Sequence, residues 1–273
     1  MNISKHISEY LQLGLKGDDA VAKTCGDIIL NRIAKSTNNK EVTIKGGFVM
    51  MTLSKNLRRA TRDLDLDFIK YSLSDESILK FIEKLNIVDN DVILKVIEPI
   101  TELSHQDYKG KRVILEISDK FKNKYDFKLD IGVHKNLDLK QEELCFDFNS
   151  TNEFVNLLVN SKEQIVSEKL KSLLKFGPAS RRYKDVYDIY YLIKINPMDK
   201  EKFKLLVDDY ILKDDKMWEN NYENIYNRLF ETFSNKRFLN RLSRARENWL
   251  GIESSKVIEV ILEYFESLIE IRV

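Results

Sequence analysis

The residues of this chain best placed to do chemistry lie in RATRDLDLDFIK (59–70), where Asp63, Asp65 and Asp67 alternate with Leu64, Leu66 and Phe68. A period of two is that of a β-strand, so the stretch puts three carboxylates on one face and the apolar side chains on the other. Two readings follow. It is a half-buried edge strand with a solvated acidic face, or it is a platform for a divalent cation, because carboxylates this close repel unless a cation or a shared proton compensates them.

Four further stretches belong beside it. In IKGGFVMMTLSKNLRR (44–59), Gly46 and Gly47 end a strand and the apolar run from Phe48 begins a helix. Such a turn brings bare backbone N–H groups to a helix N-terminus, where phosphate oxygens are favoured. GxxxxGK[ST] is absent, so this is no Walker loop, and a plain tight turn is the alternative. In YDFKLDIGVH (125–134), Phe127, Leu129, Ile131 and Val133 share one strand face, while Lys128, Asp130, Gly132 and His134 share the other. Asp130 is thus either a solvent-exposed aspartate or a third metal carboxylate beside Asp63 and Asp65. In the helical stretches KEQIVSEKLKSLLKF (162–176) and RRYKDVYDIYYLIK (181–194), Lys169 falls on the margin of an apolar face and Glu168 points away from it. Arg182 and Asp185 project within the second stripe, with Asp188 at its edge. Inward charges are costly unless paired or used, so an internal salt bridge of Lys169 or Arg182 with Asp185 fits as well as a catalytic role.

These residues need a scaffold, and the pattern around them predicts one. Strand-like runs at 41–46, 63–69, 91–103, 111–118 and 125–134 alternate with helices near 4–14, 18–36 and 75–86, the last capped by Ser74. From 151 onward the spacing of apolar residues predicts helices at 151–176, 181–195, 199–213, 216–250 and 255–271. The expected fold class is α+β, a mixed-sheet domain over 1–150 followed by a helical domain over 151–273.

Composition narrows the function classes. The 273 residues are 43% hydrophobic and 10% aromatic, which suits a globular protein, and 45 basic against 44 acidic residues leave a net charge of +1. The whole molecule therefore does not advertise nucleic-acid binding, and only a local stretch, NKRFLNRLSRAREN (235–248), carries the cations to track an RNA backbone. A solvated helix face is the plainer reading of it. With no apolar run long enough for a membrane span and no apolar core at the N-terminus, a cytoplasmic location is expected. Cys25 and Cys145 are too few for a thiolate metal site, and His6, His105 and His134 show no ligand spacing.

A glycine pair, then D-x-D on a strand, then a carboxylate on a later strand resembles the arrangement of the DNA polymerase β-like nucleotidyltransferases. The resemblance becomes specific through KGGFVMM (45–51), RATRDLDLDF (59–68), YKG (108–110), KLDIG (128–132), EKL (168–170) and RRYKDVYDI (181–189), which occur in the order of the AbiEii/AbiGii toxin family. It covers about residues 20–195. The family pattern assigns Arg59, Thr61, Asp63 and Asp65 to the motif, leaves Asp67 as an extra acidic residue, and implies active-site roles for Lys169 and for an aspartate among Arg182, Lys184, Asp185 and Asp188. It further implies Mg²⁺ on Asp63 and Asp65 with Asp130, a nucleoside triphosphate cradled at Gly46 and Gly47, transfer of its nucleotide to an acceptor such as the 3′ end of tRNA, and an antitoxin encoded nearby in a type IV toxin–antitoxin or abortive infection system. Rival readings keep the fold but change the acceptor to a small molecule or protein, or make the chain a silent nucleotide-binding interaction protein.

Overall fold

The computed structural model describes residues 1–103, 110–134, 139–148 and 153–269. His105 and the expected turn at Tyr108 and Lys109 lie outside them. The chain forms two compact units, Met1–Asn160 and Ser161–Val273.

The first unit is built on one mixed sheet. Its strands are β1 (Val42–Lys45), β2 (Asp63–Phe68), β3 (Val92–Val96), β4 (Thr101–Glu102), β5 (Lys111–Asp119), β6 (Lys124–Val133), β7 (Glu142–Phe148) and β8 (Glu153–Val159). They run in the order β3-β5-β6-β2-β1-β8-β7, with β4 beside β5. The three strands that carry the candidate site residues are central: β2 lies antiparallel to β1 and parallel to β6. Alternation holds as expected, since Leu64, Leu66, Leu129 and Ile131 are fully buried. Helices α1 (Ile3–Gln12), α2 (Gly17–Lys35), α3 (Gly46–Ser54) and α4 (Asp75–Val88) complete the unit. Ile29, Leu30 and Ile33 of α2 and Phe48, Val49 and Met50 of α3 are buried with the sheet's apolar residues. Each such side chain contributes about 1.5–3 kcal/mol, so the site strands rest on a rigid base. Ser74 caps α4 as predicted, its Oγ accepting the Ser77 N–H at 3.2 Å.

Three expectations of element type or extent are corrected. Residues 153–159, read as the start of a helix, form β8, where Val155, Leu157 and Val159 alternate with Phe154, Asn156 and Leu158 in pairing with β7. In so apolar a run the strand period and the helix period both fit, and ladder pairing decides. The run 91–103 is two strands, because Pro99 between them has no N–H to give to the ladder. The long helix expected over 216–250 is broken into two helices, since Asn235 caps a new start.

The second unit holds α5 (Lys162–Phe176), α6 (Tyr183–Tyr190), α7 (Lys200–Val207), α8 (Tyr222–Ser234), α9 (Lys236–Ser243) and α10 (Ser254–Ile269). Ser161 and Gln164 form a reciprocal capping box that starts α5. Leu170, Leu173, Val186, Ile189, Phe203, Ile225, Leu229, Phe238, Leu242, Ile261 and Phe265 bury the helices' inner faces. Among the described residues no helix is long and apolar enough to cross a membrane.

Candidate active site

Strand register lines charge up in a row across the sheet. Lys45 of β1 is the direct partner of Asp65 on β2, Asp65 is the partner of Asp130 on β6, and Asp130 is the partner of Arg112 on β5. Direct partners share a face, so one row reads cation, carboxylate, carboxylate, cation. Asp63 lies two residues along β2 on the same face. Two carboxylates side by side on neighbouring strands stand about 5 Å apart, which at an effective dielectric of about 20 is about 3 kcal/mol of repulsion. The flanking cations offset it. Arg112 grips Asp130 with both arms, Nε to Oδ1 at 2.8 Å and Nη2 to Oδ2 at 2.7 Å. Those hydrogen bonds, with the charge of Asp130 and then of Asp63 and Asp65, push the guanidinium further toward its charged form. Lys45 instead reaches diagonally to Asp67 at 2.7 Å, and both side chains are buried. Asp67 is therefore committed to an ion pair with Lys45.

The glycine pair shapes this row from the side. β1 ends at Lys45 and α3 begins at Gly46, whose φ of +66° is the left-handed region that glycine tolerates. A Cβ on Gly46 would lie 2.2 Å from Asp65 Oδ2, and one on Gly47 would lie 2.4 Å from Thr61 Oγ1. Both glycines are thus required by what packs on them. Thr61 Oγ1 in turn donates to Asp63 Oδ1 at 3.0 Å. Lys45 at the N-cap gives α3 no side-chain cap, so the helix presents N–H groups that no N-cap side chain satisfies. Arg59 is 3% exposed in the short turn before β2. Gly46, Gly47, Thr61, Asp63, Asp65 and Asp130 are thereby brought together, and β1, β2 and β6 hold them.

Among the described residues no three acidic, cysteine or histidine side chains form a ready-made metal site. The donor set nonetheless fits a hard divalent cation in part. Asp63 and Asp65 supply carboxylate oxygens on one face, Asp65 is pressed against the glycine turn, and the Arg112 guanidinium already sits in the field of all three carboxylates as a cation does. A cation of the Mg²⁺ class takes one or two carboxylates and completes its shell with water and phosphate oxygens.

The second unit gathers its own predicted residues. Lys169 of α5 bonds Asp185 of α6 and lies 2.9 Å from Asp188 Oδ2, while Arg182 Nη1 lies 3.5 Å from Asp185 Oδ2. Asp188 is wholly buried, and its Oδ1 accepts the Trp249 indole N–H at 3.0 Å. Asp188 thus anchors Lys169 and the end of the chain's aromatic core, whereas Asp185 keeps 8% exposure beside an exposed Arg182. Lys184 sits half-buried in the first turn of α6. The internal salt bridges weighed as the alternative to catalysis are present.

Sequence reasoning missed Arg112 and Trp249. Arg112 was legible in principle, because counting outward from the turn at 120–123 that joins β5 to β6 pairs it with Asp130. Nothing local in the sequence points Trp249 at Asp188.

A protein-family model described as the nucleotidyl transferase AbiEii toxin of a type IV TA system matches residues 28–269. No curated protein matches the sequence. Among solved structures, an antigenic nucleotidyltransferase-like protein from Paracoccidioides brasiliensis is similar at a TM-score of 0.49 and 14% identity, over 84% of this chain and 93% of that one.

Proposed function

The chain belongs to the nucleotidyl transferase AbiEii toxin family of type IV toxin–antitoxin systems, and on that footing we propose that it transfers the nucleotide of a nucleoside triphosphate to the 3′ end of an RNA of the tRNA class. The observation that carries the reading is the carboxylate row, with Asp65 seated against Gly46 and Thr61 against Gly47 so closely that a Cβ on either glycine would clash. Asp63 and Asp65, with Asp130, would hold a divalent cation, Mg²⁺ in this proposal, and such an ion would supply charge neutralisation to the triphosphate. The uncapped N–H groups of α3 bind phosphate oxygens, favoured there by the positive end of the helix. Thr61 holds Asp63 in place through its hydroxyl, and Arg112 fixes Asp130 with both arms.

Lys169, Arg182 and Lys184 are assigned to the charge that develops on the phosphates, on motif order alone. Of the two aspartates that follow, Asp185 is the one assigned to the reaction, since it keeps some exposure while Asp188 is wholly buried against Trp249. An antitoxin encoded nearby is the expected protein partner. The test is to incubate the purified protein with Mg²⁺, each labelled nucleoside triphosphate and total tRNA. Label on the RNA 3′ end is the expected result. Label on protein or on a small molecule alone moves the acceptor to those classes, and no label under any combination removes the proposal.

A further inference from the structure

Almost every charge described so far has a counter-charge, and one region of the second unit departs from this. Arg181, Tyr183, Lys236, Arg237, Arg241 and Arg244 line an open cavity of about 760 Å³. Five of those six side chains are cationic, and none of the five is in an ion pair among the described residues.

The arrangement follows from α9. Lys236, Arg237, Asn240, Arg241 and Arg244 recur at four- and three-residue steps and share one face, while Phe238 and Leu242 point the other way and are buried. Tyr183 joins the two sides, its ring 5.7 Å from that of Phe238 and its hydroxyl closed to solvent without a hydrogen-bond partner among the described residues. Folding alone gives no reason for this face to be basic. Lys236 and Arg237 lie in the first turn of α9, where the helix dipole disfavours cations, and that turn holds no acidic residue. The first turns of α5, α7 and α8 each hold a glutamate instead. Dipole and side chains therefore add to one positive well, and among the described residues no acidic side chain pairs with its cations. Arg246, counted with this stretch in the sequence, lies past the end of α9 and does not line the cavity.

We propose that this cavity is a phosphate-chain site, separate from the carboxylate row, that binds two or more linked phosphates: the backbone of an oligoribonucleotide or a free polyphosphate. Spaced guanidinium groups match successive phosphate oxygens with paired N–H donors. The inference does not depend on the transfer reaction, and it holds or fails whether or not nucleotide is transferred.

The experiment uses the full chain with a fluorescein-labelled single-stranded 12-nucleotide RNA, read by anisotropy across a salt series, and inorganic tripolyphosphate, read by calorimetry. The variant carries R237Q, R241Q and R244Q, and Lys256→Gln, an exposed cation of α10 outside the cavity, serves as the control. The expected result is tenfold or greater loss of affinity in the triple variant and a salt slope shallower by about 2 for the RNA, with no change in Lys256→Gln. Loss confined to the RNA makes a nucleic-acid backbone the ligand, and loss confined to tripolyphosphate makes it a free polyphosphate. If the triple variant does not fold, Arg244→Gln alone must weaken binding at least twofold. Binding of neither probe, or equal binding by wild type and variant, overturns the site.

Discussion

The row across the sheet and the face of α9 handle charge in opposite ways. In the row, two carboxylates that repel are bracketed by Arg112, which register places on Asp130, and by Lys45, which reaches on to Asp67. On α9, five cations surround one cavity and none is in an ion pair among the described residues. A chain with nearly equal numbers of acids and bases has the means to neutralise both. The difference separates charge that the fold compensates, and therefore depends on, from charge held for something outside the chain. Removing a compensated partner should cost stability, and removing an uncompensated cation should cost binding only.

The largest effect is expected at Lys45→Ala, which leaves Asp67 buried without its cation. Loss of one member of a buried pair costs about 3–5 kcal/mol, read as a lower midpoint in urea denaturation. Unchanged stability would mean that the pair is not needed to compensate the row. Next comes Gly46→Ala. Its backbone conformation alone should cost about 1–3 kcal/mol, and its Cβ would displace Asp65, so activity should fall further than stability. A variant with wild-type turnover would show that the close approach of glycine and carboxylate does not matter.

Smaller and more pointed is the contrast of Arg112→Gln with Arg244→Gln. The first should destabilise by about 1 kcal/mol, since the Arg112 side chain is 39% exposed and solvent screens part of the loss. The second should stay within about 0.5 kcal/mol of wild type. Equal effects in urea would erase the distinction between the two regions.

The mildest test is acid. Burial would raise the Asp119 carboxyl, but its bonds from Asn123 and from the N–H groups of Ile3, Asn123 and Phe121 outweigh that and hold it below the usual range. Burial likewise opposes, and the Asp199 N–H with Ser161 and Lys202 overcomes it, at Glu163. A depressed folded value adds stability that is present above the unfolded pKa, about 4, and lost as pH falls through the folded one. Stability should therefore decline below about pH 4, and substituting Asp119→Asn should flatten that decline.

Much of the first unit was legible because its strands alternate cleanly. Leu64 and Leu66 against Asp63 and Asp65, and Leu129 and Ile131 against Asp130, disclosed both strand and facing. The glycine turn was legible as a turn, though not its reason, which is the contact of Gly46 with Asp65 and Gly47 with Thr61. Register was hidden, because it is set by pairing between distant segments, and with it went Arg112. β8 was misread where Val155, Leu157 and Leu158 satisfy two periods at once. In the second unit the inward charges of α5 and α6 were visible, while their division into Asp185 and a Trp249-anchored Asp188 was not. The basic stretch was visible too, but its concavity depends on Arg181 and Tyr183 from 55 residues earlier in the chain, counted from Tyr183 to Phe238.

The central claim is that the carboxylate row is the site of nucleotide transfer, and Asp65→Asn tests it most directly. The substitution keeps the shape of the side chain against Gly46 and removes its charge. With Mg²⁺, labelled nucleoside triphosphates and tRNA, the rate should fall by at least about a thousandfold, a barrier change of about 4 kcal/mol, with the thermal midpoint unchanged or raised. Transfer at the wild-type rate by a folded Asp65→Asn protein would contradict it.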